Sequence, residues 1–183
     1  TKTFTYVAEV LDAEGKPVLT VTSAPQTLAS GAKQVFSLTG TLQNPKRWST
    51  EYPYLYTVVS KVLVDGREID KTTTPLGVRT FRFTNDSGFF LNENYVKLQG
   101  WGQKPTDEWA GLGAAYPDWM HAFTQELMKD AGGNFIRWGH SAASPTQIAI
   151  SDQYGIVTLQ PGVDGEGSTV GGTYSELSYA VRK

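Results

Sequence analysis

The sequence predicts two unlike pieces in tandem: a β-sandwich to about Thr84, then the opening of an α/β structure. Three observations carry this. Six short runs rich in β-branched and aromatic residues, separated by turn signals, fill the first half. The hydrophobic period changes from two to a helical one near Pro117. The order strand, helix, strand, helix, strand then follows, which is the order of right-handed βαβ units around a parallel sheet.

Phe4 to Leu11 reads as the first strand, with a turn at Ala13-Glu14-Gly15-Lys16 and a return over Val18 to Val21. Gln34 to Thr39 alternates, with Val35 on one side and Phe36 and Leu38 on the other. Tyr54 to Val64 is the longest β run. Asp65-Gly66 closes it with a two-residue hairpin signal, which makes Arg67 to Thr74 its partner. Val78 to Phe83 alternates as well, with Val78 and Phe81 or Phe83 directed inward. A complete sandwich of this kind has about seven strands, so the first is expected to be missing.

Phe89 to Leu98 reads as β with a tight turn at Asn92-Glu93-Asn94. Pro117 to Ala131 reads as a helix: Pro117 suits its first position, Asp118 its positive end and Gly132 its C-terminal cap. Met120, Phe123, Leu127 and Ala131 form its expected buried face. Asn134 to Trp138 is a short strand. Ser144-Pro145-Thr146-Gln147 is a capping box that opens a helix running to Tyr154 and stopping at Gly155. Ile156 to Leu159 is the next strand, and a glycine-rich loop follows from Gly162. A parallel sheet of three strands leaves much apolar surface uncovered. The α/β part is therefore expected to be unfinished, with the chain cut at both ends.

Composition narrows the function. The 183 residues carry 16 Lys+Arg against 18 Asp+Glu, a net charge of −2, which gives no footing for nucleic acid or an anionic membrane. There is no apolar run of 18 residues and no secretory leader pattern. With no cysteine and two histidines, His121 and His140, the chain lacks a thiol nucleophile, a disulfide and a His-rich metal site, and no cofactor or metal is expected. Charged residues are 19% and aromatics 12%, five Trp among them, a balance that suits a β-rich core or a sugar-binding surface.

Chemistry in α/β barrels gathers at the C-terminal ends of the strands. Three such ends stand out: Gly100-Trp101-Gly102-Gln103-Lys104, Arg137-Trp138-Gly139-His140, and Gln160 to Glu166. Arg137 suits a carboxylate or hydroxyl partner, His140 a substrate hydroxyl, and Asp164 and Glu166 the hydroxyls of a sugar. Trp101, Trp109 and Trp138 have faces for a sugar ring. Each type also has a structural use: Arg or His as a strand-end hydrogen bonder, Trp as core, and loop carboxylates as solvated surface. Asp164 and Glu166 make a poor acid/base pair. Retaining glycosidases hold two carboxyls about 5–5.5 Å apart in differently tuned settings, which positions i and i+2 of one loop seldom achieve. Asp107-Glu108 is weaker still.

An ordered series of motifs runs through nearly the whole chain: Asn44-Pro45-Lys46-Arg47-Trp48-Ser49, Tyr52-Pro53-Tyr54-Leu55-Tyr56, Gly77-Val78-Arg79, Phe89-Phe90-Leu91-Asn92, Val96-Lys97-Leu98-Gln99-Gly100, Leu127-Met128-Lys129 and Asn134-Phe135-Ile136-Arg137. Together they resemble glycoside hydrolase family 2, the β-galactosidase and β-glucuronidase group. The resemblance implies an immunoglobulin-like β-sandwich over 1–84, followed by an incomplete (β/α)8 TIM barrel over 85–183. It also implies a retaining exo-glycosidase as the parent. The family's Asn-Arg-His after the first barrel strand is replaced by Trp101-Gly102-Gln103. Its Ser-His-Tyr-Pro is reduced to the His of Gly139-His140-Ser141-Ala142, and its Asp-Glu gives way to Gln160-Pro161. The family's two catalytic glutamates belong to strands four and seven, so the resemblance implies no catalytic residue in this chain and no hydrolysis by it alone.

The resulting expectation is a piece of a family 2 glycosidase with Arg137, His140, Trp101, Asp164 and Glu166 on the substrate side. Its partners are then a carbohydrate and the remainder of the parent chain. The rival is a non-catalytic carbohydrate-binding or adhesion module, and a structural spacer is the third reading. Open sheet edges predict that the isolated piece self-associates or is partly molten.

Overall fold

Strand β1 (Lys2–Leu11) runs through the middle of an antiparallel sheet, flanked by β2 (Pro17–Thr22) and β4 (Tyr56–Val64). β5 (Arg67–Leu76) extends the sheet beyond β4, and the short β3 (Gln26–Leu28) pairs with the start of β1. The β4–β5 turn follows from local chemistry: Asp65 and Gly66 take φ of 50° and 74°, the pair of positive angles that a tight hairpin requires. Register places Val10 beside Leu19 and Val58, and Ala8 beside Val21 and Ser60, so one face carries the apolar side chains. Tyr6 donates from its hydroxyl to Ser60 Oγ at 2.8 Å on that face. β5 is exposed along its length, and its Lys71, threonines and Pro75 suit an edge that should not recruit a further strand.

The segment 34–39 belongs to no strand, contrary to its alternating pattern. The alternation itself is present: Val35 is 92% exposed while Phe36 and Leu38 are half-buried. Phe36 packs on the rings of Phe4 and Tyr6 at 5.5 and 6.3 Å, and Gly40 lies against Leu19 and Val21. The segment therefore covers the sheet through side chains without a backbone ladder. Period-two burial reports packing, whereas a strand also needs a hydrogen-bonded neighbour.

The computed structural model describes residues 1–104, 111–113, 115–139 and 142–161. These fall into two compact units. The first holds Thr1–Trp48 and Tyr54–Val78; the second holds Ser49–Pro53 and the described residues from Arg79 onward.

The second unit begins with a small antiparallel sheet of β6 (Phe81–Thr84), β7 (Gly88–Leu91) and β8 (Asn94–Tyr95). Phe81 and Phe83 share a face with Leu91 and Phe89, as the expected inward direction requires, but the cover stops at β7: Leu91 and Phe89 are buried while Phe81 and Phe83 are 64% and 67% exposed. Arg82 lies over the Phe90 ring at 3.7 Å on the other face.

The chain then forms β9 (Gly100–Gln103), α1 (Asp118–Asp130), β10 (Phe135–Trp138), α2 (Pro145–Tyr154) and β11 (Val157–Leu159). The three strands are parallel in the order β11-β10-β9. The start of α2 and the end of α1 follow the sequence signals, whereas Pro117 is the N-cap of α1 and Asp118 its first residue. Ser144 Oγ accepts from the Gln147 N–H at 3.2 Å, and Gln147 Oε1 accepts from the Ser144 N–H at 2.6 Å. Gly132 and Gly133 donate to the carbonyls of Lys129 and Met128, which closes α1 in a Schellman motif.

β9 begins at Gly100, so Trp101-Gly102-Gln103 lies within a strand and does not follow one. Residues 97–99 are instead held laterally by Asn134, whose side chain accepts from the Gln99 N–H and donates to the Lys97 carbonyl. The buried face of α1 is Met120, His121, Gln125 and Met128, while Phe123 and Leu127 are 39% and 47% exposed. Polar side chains occupy the buried face because α2 satisfies them. Gln125 Nε2 donates to the Gln147 carbonyl at 3.2 Å, Ser151 Oγ donates to Gln125 Oε1 at 2.7 Å, and Gln147 Nε2 reaches His121 Nδ1 at 3.3 Å. Between helices and sheet lies a core of Met128, Ile136, Trp138 and Ile156.

Candidate functional site

Pairing across the parallel sheet sorts its side chains into two sets. Trp101 stands beside Ile136, and Gln103 beside Trp138. Ile136 and Trp138 are buried in the core under the helices, so Trp101 and Gln103 share the helix side. Gln103 Nε2 accordingly donates to Thr124 Oγ1 of α1 at 2.9 Å. On the opposite face Gly100 and Gly102 flank Phe135 and Arg137, which are flanked in turn by Val157 and Leu159.

Arg137 is thus the penultimate residue of the middle strand, on the face turned away from the helices. Its surroundings are shaped by glycine. A Cβ on Gly102 would lie 3.8 Å from Arg137 Cδ, and one on Gly139 only 2.7 Å from Nη1. The stem of the arginine passes Gly102 and its head turns over Gly139, at the C-terminal end of β10. A planar fork of donors in this position suits carboxylate or hydroxyl oxygens.

The structure separates the expected site residues. Arg137 and Trp101 occupy opposite faces of one sheet, and Trp101 is 40% exposed. The separation follows from the register, which sets Trp101 beside Ile136 on the helix side and Gly102 beside Arg137 on the other. Trp138 is 1% exposed and belongs to the core, and its Nε1 and the neighbouring Gln103 Oε1 are buried without a hydrogen-bond partner among the described residues. His140, Asp164, Glu166, Trp109 and Asp107-Glu108 lie outside the described residues. Among the described residues no cluster of three His, Asp or Glu could hold a metal.

The glycines around Arg137 were not among the expected residues. Their signal was available in the alternation of Gly100 and Gly102 with larger residues, which leaves one face of β9 bare.

Elsewhere in this unit, the His121 pKa is lowered by burial, opposed by the nearby Asp118 carboxylate. Gln147 Oε1 is taken by the Ser144 N–H, so Gln147 Nε2 is the donor to His121 Nδ1 and the ring proton is assigned to Nε2. The Glu51 carboxyl is held below its ordinary value by the Thr50 hydroxyl, which donates to it at 2.7 Å, with Ser49 and Lys129 contributing.

Comparison with known proteins places this geometry in a family. Residues 1–79 match the family described as glycosyl hydrolases family 2. A β-glucuronidase of Formosa agariphila is 49% identical over 182 residues, covering 100% of this chain and 18% of that protein. A β-galactosidase of Bacteroides ovatus is 31% identical over 87% of this chain and 18% of its own length. Among solved structures, a β-glucuronidase from glycoside hydrolase family 2 superposes with a TM-score of 0.85 at 49% identity, over 98% of this chain and 18% of that one. The β-glucuronidase of Bacteroides uniformis gives 0.81 at 26% identity, over 87% and 19%. The chain therefore spans about a fifth of the length of the relatives it matches. Over the span it covers, the chain belongs to glycosyl hydrolases family 2.

Proposed function

We propose that the chain is part of a retaining, exo-acting glycosidase that removes a terminal β-linked sugar, a β-glucuronide or a β-galactoside. On this reading residues 1–84 are an immunoglobulin-like sandwich, and 85–183 open a (β/α)8 barrel whose strand ends carry the sugar. The observation that carries it is the parallel order β11-β10-β9, with a helix in each crossover and Arg137 near the C-terminal end of the middle strand, away from the helices. In a barrel that face is the interior and that end bears the active site. Relatives named β-glucuronidase and β-galactosidase add to this support.

Arg137 then binds and orients sugar oxygens. His140, Asp164 and Glu166, from the same two strand ends, are assigned to the same pocket. Trp101 is not, because a ring on the helix face cannot stack on a sugar inside the barrel. On this reading the chain supplies no catalytic carboxyl, because the family resemblance puts the acid/base and the nucleophile, which double displacement holds about 5–5.5 Å apart, on later strands. Assay of the 183-residue chain with chromogenic β-glucuronide and β-galactoside should give no turnover, whereas the full-length protein carrying it should hydrolyse one of them. Turnover by the chain alone, abolished by Asp164→Asn or Glu166→Gln, would overturn the assignment. Saturable quenching of tryptophan by oligosaccharides, without turnover by the full-length protein, would favour a binding module instead.

A further inference from the structure

We propose that Gly139 is a positioning residue for Arg137: the absence of a side chain at 139 is the seat in which the guanidinium lies. An ideal Cβ on Gly139 would meet Arg137 Nη1 at 2.7 Å, Cζ at 3.3 Å and Nη2 at 3.8 Å. The three nearest atoms all belong to the guanidinium. The backbone does not ask for glycine here, since Gly139 is not among the residues with positive φ. What glycine supplies is room.

The strand end cannot move aside to make that room. Gly139 is buried, and its N–H donates to the Gln103 carbonyl of β9 at 3.1 Å. The guanidinium is the far end of a flexible side chain and can move. A methyl group at 139 therefore displaces the charged head and leaves the strand in place. Gly102 differs, because a Cβ there would stand 3.8 Å from the arginine stem, an ordinary contact. The two glycines thus have separate effects: one borders the stem, the other locates the head. Recognition by a planar fork tolerates errors of roughly 0.5 Å, and a displacement of about 1 Å can cost on the order of 100-fold in turnover. The consequence for turnover rests on the glycosidase reading above, whereas the seat itself rests on geometry alone.

The test has two arms. In the 183-residue chain, the Arg137 Nε–Hε NMR cross-peak is identified by its loss in Arg137→Lys. It should shift in Gly139→Ala and stay in place in Gly102→Ala, with melting temperatures within about 4 °C of the parent. An unmoved cross-peak in Gly139→Ala, or an equal shift in Gly102→Ala, overturns the proposal. If Gly139→Ala does not fold, Arg137→Ala in the same chain should restore folding, and failure to do so overturns it as well. In the full-length protein, Gly139→Ala and Arg137→Lys should each lower kcat for a β-glucuronide or β-galactoside by about 10- to 100-fold. The double variant should be no worse than either. Loss in Arg137→Lys with full activity in Gly139→Ala refutes the positioning role. Full activity in Arg137→Lys refutes the glycosidase reading of this strand end, while the cross-peak still decides the seat.

Discussion

Lys129 Nζ donates to the main-chain oxygen of Thr50 at 3.0 Å, and a Cβ on Gly155 would come within 2.5 Å of that same oxygen. Thr50 is 3% exposed. One carbonyl of a connecting loop is thereby enclosed between a cation from the end of α1 and the glycine that ends α2, the second held at φ 70°.

Removing the cation should leave that carbonyl unpaired away from water. Lys129→Met is expected to destabilise the chain by about 1–3 kcal/mol, read from the urea midpoint at constant slope. The same variant should raise the Glu51 pKa, and Thr50→Val should raise it further because the hydroxyl is the largest cause of its depression. Carboxyl titration by NMR checks the order of the two effects.

Gly100→Ala should be far more damaging than Gly102→Ala. A Cβ at 100 would fall 1.6 Å from the Phe135 carbonyl oxygen, which is backbone inside the parallel sheet and unable to move away. We expect a loss of about 3 kcal/mol or more for the first and less than about 1 kcal/mol for the second. Thermal unfolding of both variants beside the parent measures the difference.

Acid should weaken the α1–α2 contact through His121. Burial depresses its folded pKa below the unfolded value, so the stability it contributes is complete above about pH 6.5 and is lost as pH falls toward the folded pKa. Denaturant midpoints between pH 8 and pH 5 should decline in the parent chain and flatten in His121→Gln. A midpoint that falls equally in both would assign the acid sensitivity to another group.

Ser144→Ala removes the oxygen that accepts from the Gln147 N–H at the start of α2. A loss of about 1 kcal/mol is expected. Because Gln147 also contacts His121, Gln147→Ala should cost more than the cap alone.

Open edges and apolar faces predict self-association. Among the described residues β9 and β11 are the outer strands of their sheet, and Trp119, Phe123 and Leu127 project from α1 at 64%, 39% and 47% exposure. Light scattering should show mass rising with concentration, and Phe123→Lys combined with Leu127→Lys should reduce the rise.

Local chemistry made much of this fold legible. Asp65-Gly66, Ser144 with Gln147, and the glycines at 132 and 155 act within a few residues of their own position, so their meaning can be read in place. The strand-helix alternation also yielded the parallel sheet. What could not be read depends on distant partners. His121 and Gln125 are buried only because Gln147 and Ser151 lie opposite them. The face of β9 depends on where its pairing to β10 begins, which Gln99 and Asn134 set through contacts 35 residues apart. Segment 34–39 has the right pattern without a ladder. Arg137 was legible as a strand-end cation, but the glycine that shapes its position became visible only in three dimensions.

The assignment of Ser49–Pro53 to the second unit, with Trp48 and Tyr54 in the first, has a practical consequence. No single cut in the polypeptide yields both units whole. Expression beginning at Arg79 would omit the five-residue insertion that encloses the end of α2, and a graft of the first unit onto another protein would carry that insertion away with it. Chimeras exchanged at two junctions, with 49–53 kept alongside the recipient's own α/β partner, should therefore survive where simple fusions at residue 79 aggregate.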